Sequence, residues 1–115
     1  MKTFDRIAAQ GDMMLIKIDE LPSQGIAPVT PENGQFILTH SETGHHHIVL
    51  ERPGVRMFND TMDLFRSWLV VEGDPVSLDH LRPTDTHESL EIKPGIYEVR
   101  RQREYSPEGW RRAAD

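Results

Sequence analysis

The sequence predicts an all-β fold, a small barrel or sandwich of seven to eight short antiparallel strands, with room for a short C-terminal helix. Apolar runs are short and stop after a few residues, and turn signals recur at about ten-residue spacing. The eight Gly and eight Pro fall in those turns instead of in one low-complexity tract. With 115 residues, 37% hydrophobic and 28% charged, the chain has the length of one ordinary domain. We read 1–115 as a single β domain in which residues 104–115 form a C-terminal tail.

Met13-Met-Leu-Ile-Lys-Ile18 opens after Gly11-Asp12 and closes before Leu21-Pro22, as a first strand should. Ser23 to Gly34 holds two prolines and two glycines and reads as a loop. Gln35 to His40 and His45 to Glu51 form a hairpin about Ser41-Glu-Thr-Gly44. Val55-Arg-Met-Phe58 is a further strand, after which Asn59-Asp60 begins a turn. Phe65, Trp68 and Leu69 have helical spacing, but Trp68-Leu-Val-Val71 before Glu72-Gly-Asp-Pro75 favours a strand, with Val76 to His80 as its mate. Leu90-Glu-Ile92 leads through Lys93-Pro-Gly95 into the alternating strand Ile96 to Arg100, and Pro107 suits the first turn of a short helix.

The chain has no cysteine, which excludes disulfides, thiolate metal sites and thiol nucleophiles. Ser41, Ser67 and Ser89 lack the glycine-flanked setting of a nucleophile elbow, and there is no phosphate-cradling glycine loop. The net charge of −6 argues against general nucleic-acid binding. No apolar run approaches the roughly 20 residues of a membrane span, nor does the N-terminus resemble a signal peptide. The expected location is therefore the cytoplasm, or a particle assembled there. Charge is uneven: residues 1–93 carry 8 Lys/Arg against 15 Asp/Glu, whereas 94–115 carry 5 Arg against 4 acids. Arg100, Arg101, Arg103, Tyr105 and Trp110 form a candidate interface, since Arg and Tyr or Trp are favoured anchors for a second copy or a protein partner. The alternative is that these residues only pack the tail onto its own domain.

The main chemical signal is six histidines, all between positions 40 and 87. Strand alternation places His45, His47, Val49 and Glu51 on one face and His46, Ile48 and Leu50 on the other. His40 lies across the hairpin turn, and His80 ends a later strand. His40, His45, His47, Glu51 and His80 are thus candidate ligands for a divalent transition metal, Zn, Fe, Ni or Mn, with Glu42 a further carboxylate and His87 a cover. The competing reading gives the imidazoles only structural hydrogen bonds.

His45-x-His47-x-x-x-Glu51 followed by Arg52-Pro-Gly54 resembles the first metal motif of cupins, and Ile92-Lys-Pro-Gly-Ile-Tyr97 resembles the turn of their second motif. The likeness covers roughly residues 44–100 and implies a small barrel with His45, His47 and Glu51 as ligands. Where the second cupin motif carries its histidine, this chain has Tyr97 and Glu98, so His80 or His87 would have to substitute. Gly11-Asp12, His40-Ser-Glu-Thr-Gly-His-His-His47 and Tyr97 to Tyr105 also resemble a group of small, functionally uncharacterised bacterial and phage-associated proteins. Ser41 replaces that group's usual glycine.

Three readings remain open from sequence. The first is a non-catalytic binding or assembly module with a histidine-based metal or ligand site. The second is a cupin-type metal-dependent enzyme, whether oxygenase, isomerase or hydrolase. The third is an accessory protein acting through a macromolecular partner, with histidines as pH-sensitive or hydrogen-bonding groups.

Overall fold

The computed structural model describes residues 3, 5–10, 13–39, 46–63, 65–80, 89–101, 105–106 and 109–110, with 9–10, 80, 105–106 and 109–110 described by backbone alone. The fold is all-β, and among the described residues there is no helix. Strands β1 (Ile7–Gln10), β2 (Met13–Ile18), β3 (Ile26–Pro28), β6 (Val55–Asp60), β7 (Arg66–Val71) and β10 (Gly95–Arg101) make one sheet, in the order β1-β2-β10-β7-β6-β3. Strands β4 (Gln35–Thr39), β5 (His47–Leu50), β8 (Val76–His80) and β9 (Leu90–Ile92) make a second, in the order β4-β5-β8-β9. Every ladder in both is antiparallel.

Alternating side chains from the two sheets meet in one core. Met13, Leu15, Met57, Leu69 and Val99 come from the first sheet, and Phe36, Val49, Leu78 and Ile92 from the second. Burying each such side chain stabilises the fold by about 1.5–3 kcal/mol. Trp68 and Val70 are also buried but lie on the opposite face of β7 from Leu69 and Val71, outside that core. Trp68 shares an outer cleft with Leu21 and Pro22.

The sheets are open, so the architecture is a sandwich and not a closed barrel. Two of its strands, β1 and β3, do not follow from the sequence pattern. β3 lies inside the segment expected to be a loop; as an edge strand it pairs only with β6, where Pro28 can forgo a ladder donor. Asn59 and Asp60, expected in a turn, extend β6. In place of the C-terminal helix, β11 (Tyr105–Ser106) pairs with β12 (Gly109–Trp110).

One end of the sandwich is fastened by Arg52. Its guanidinium donates to the carbonyls of Pro53, Glu72 and Asp74. These belong to the β5–β6 and β7–β8 connections, both of which cross between sheets. At the same end the Tyr97 hydroxyl donates to the Lys93 carbonyl at 2.6 Å, and burial raises the phenol pKa above its ordinary 10.0. A raised folded-state pKa means the stability from neutral Tyr97 is complete below about pH 10 and is lost as pH rises through the higher folded value. Alkaline denaturation followed with an ultraviolet phenolate titration should show one tyrosine ionising late, with stability falling only above pH 10. Tyr97→Phe should abolish the late step and cost about 0.5–1.5 kcal/mol at neutral pH.

Candidate functional site

The opposite end of the sandwich is polar inside. Along the inner side of β6 the residues run Val55, Met57, Asn59; along β7 they run Val71, Leu69, Ser67; along β10 they run Tyr97, Val99, Arg101. Asn59, Ser67 and Val99 share one rung of the sheet. In the second sheet, β5 changes from Val49 to His47, and Thr39 stands opposite His47. A bulge between Ile37 and Thr39 shifts the register there, leaving both Leu38 and Thr39 buried. Thr39, Asn59, Ser67 and Arg101 line one cavity of about 290 Å³, with Leu38, Met57 and Val99 as apolar surface. The polar ends of the two sheets therefore face a common space.

Its rim is a tight charged turn between β6 and β7. Asp60 Oδ1 accepts the amides of Met62 (2.8 Å) and Asp63 (3.2 Å), and Asp63 Oδ1 accepts the Phe65 amide at 2.9 Å. Arg66 Nη1 lies 3.9 Å from Asp60 Oδ2, too far for a direct hydrogen bond. Glu98 Oε2 accepts from Arg100 Nε at 2.6 Å and lies 2.8 Å from Arg66 Nε. The Arg66 N–H is nevertheless not directed at that oxygen, so the contact is an ion pair without an aligned hydrogen bond. The Arg66 guanidinium also sits 5.1 Å from the Trp68 ring, and that of Arg101 5.8 Å from Phe65.

The histidines divide across this frame. His47 is 2% exposed and lies on the inner side, in phase with Val49, while Ile48 points to the outer face and Leu50 is 59% exposed. The backbone register sets His47 directly opposite His80. His46 precedes β5 and is half-buried. Glu51 follows β5 and is exposed, about 13 Å along the strand from His47, so the two are not brought together. His40, Glu42, His45, His87 and Arg103 lie outside the described residues, as do the side chains of His80, Tyr105 and Trp110. Arg100 is exposed beside Glu98, and Tyr105 pairs with Trp110 through the backbone. Among the described residues no group of three or more His, Asp or Glu is placed to hold a metal ion. Nor is any described helix long and apolar enough to cross a membrane.

Residues 9–102 match the family described as a domain of unknown function, DUF8820. The chain belongs to this family. The matched span contains β2 to β10, every residue lining the cavity and all six histidines. No curated protein and no solved structure matches the chain.

Asn59, Asp60, Asp63, Arg66 and Ser67 are absent from the sequence-derived site. Asp60-x-x-Asp63 is a turn signal with a side-chain cap, and Ser67 interrupts an otherwise apolar strand. Neither pattern reveals that both face the end of β4.

Proposed function

We propose that the chain is a non-catalytic binding module whose histidines hold a divalent transition metal, Zn, Fe, Ni or Mn, at the polar end of the sandwich. The observation that carries this reading is the pairing of His47 with His80 across β5 and β8, with His47 buried on the inner side. Residues so opposed are close enough for one ion to take an imidazole nitrogen from each. His40, next in sequence after Thr39, and His45 are the proposed further donors. The C-terminal segment from Arg100 to Trp110 is the proposed contact for a second copy or a protein partner, and the proposed setting is the cytoplasm or a particle assembled there.

A cupin-type metal-dependent enzyme is the second reading. It is favoured by the cavity of about 290 Å³, whose lining residue Thr39 is His47's partner on β4, because an enzyme needs substrate space beside an open coordination position.

Elemental mass spectrometry of tag-free protein and of a His45→Ala/His47→Ala double variant tests both. Near-stoichiometric metal in the parent and none in the variant is the expected result. A folded parent that contains no metal and takes up none of the four added ions would sink the metal reading in either form.

A further inference from the structure

Among the described residues no histidine lines the cavity, and its other lining groups have a chemistry of their own. Its charges are two arginines against three carboxylates, and all but the exposed Glu32 are engaged by neighbouring groups. Arg66 and Arg101 face Glu32, Asp60 and Asp63 around the opening. The carboxylates of Asp60 and Asp63 accept amides of their own turn, Arg66 lies against Glu98, and Arg101 stacks toward Phe65. A ligand with a full charge entering this space would lose its hydration and meet, beyond the engaged pairs, only the solvated Glu32 at the rim, which is costly. The remaining polar groups are neutral. Asn59 and Gln35 each present a donor and an acceptor in one plane, and Thr39 and Ser67 present hydroxyls that do both. Apolar surface from Met57, Val99 and the Phe65 ring lies beside them.

We infer that this cavity binds a small uncharged polyhydroxy compound, a monosaccharide or polyol. Vicinal hydroxyls match the paired donors and acceptors of the planar amides, and the C–H face of such a molecule matches the Phe65 and Met57 surface. A volume of about 290 Å³ is at the small end of ligand pockets, the size of one sugar ring. The assignment goes beyond the metal reading and does not depend on it.

The test is two-dimensional amide NMR of the isotope-labelled full chain, titrated with D-glucose, D-xylose and myo-inositol as neutral probes. D-gluconate and D-glucosamine serve as size-matched charged probes. Each titration is run with a chelator and repeated after loading with zinc. Neutral probes are expected to shift the amides of Thr39, Asn59, Phe65 and Ser67 in both states, with the charged probes about tenfold weaker or worse. Ser67→Ala, which removes one hydroxyl, should weaken binding about tenfold while the remaining spectrum is unchanged. If that variant loses its native spectrum, Asn59→Ala at the end of β6 gives the same comparison. Failure of every neutral probe to shift these amides would overturn the assignment, as would stronger binding of a charged probe or undiminished binding by the folded variant. Binding only in the zinc-loaded state would transfer the ligand to the metal and also overturn it. A protein that takes up none of the four metals yet still binds neutral probes would leave the cavity assignment standing and remove the metal reading.

Discussion

Leu69→Ala is expected to cost about 2–5 kcal/mol of stability. Leu69 is fully buried at the centre of the six-stranded sheet, between Met57 on β6 and Tyr97 on β10. Removing its isobutyl group loses the transfer free energy of the buried atoms and leaves a void that β-sheet neighbours, fixed by ladders on both sides, cannot collapse to fill. Against a typical total of about 5–15 kcal/mol, that loss would leave a substantial unfolded fraction. Urea denaturation should show an earlier midpoint at an unchanged slope. Leu50→Ala is the control: Leu50 is 59% exposed, and its truncation should shift stability by no more than about 0.5 kcal/mol. Similar effects from the two variants would contradict a core built around Leu69.

Gly54→Ala should also be severe, for a different reason. Gly54 has φ of 92°, where an L-residue pays about 1–3 kcal/mol in backbone strain. A Cβ there would also stand 2.6 Å from the Glu72 carbonyl oxygen, a backbone atom that cannot swing aside. The same glycine accepts the Glu72 amide through its own carbonyl at 2.8 Å, so relieving the clash pulls apart the contact between the two crossover connections. Gly34→Ala is the matched comparison, since its φ of 76° carries the strain but no atom lies within 4 Å of the added carbon. Thermal melts should place Gly54→Ala well below Gly34→Ala. Equal melting temperatures would mean that the close approach to Glu72 contributes nothing.

Much of the fold is legible in the chain because the core strands are short apolar runs closed by strong turn residues. Met13 to Ile18, Val76 to His80 and Ile96 to Arg100 need only alternation and their flanking Gly, Pro and Asp. Phe65, Trp68 and Leu69 are ambiguous by spacing, and the pairing of β7 between β6 and β10 is what makes that segment a strand. Edge strands are the least legible. Ile7 to Gln10 lacks alternation and Ile26 to Pro28 sits among breakers, yet each needs a partner on one side only, a condition that weak local propensity can satisfy.

The sequence by itself determined the all-β class, the absence of thiol chemistry and the concentration of histidines between 40 and 87. It did not determine which way the β5 strand faces. His-Ile-Val-Leu offers apolar residues in both phases, so local pattern leaves two orientations of nearly equal merit. Pairing with β4 and β8 chose the one that buries Val49 and His47 toward the core and exposes Leu50. Likewise, no spacing links Thr39, Asn59, Ser67 and Arg101. They meet because three strands of one sheet and one strand of the other all turn polar at the same end, a coincidence of register that exists only once both sheets have packed.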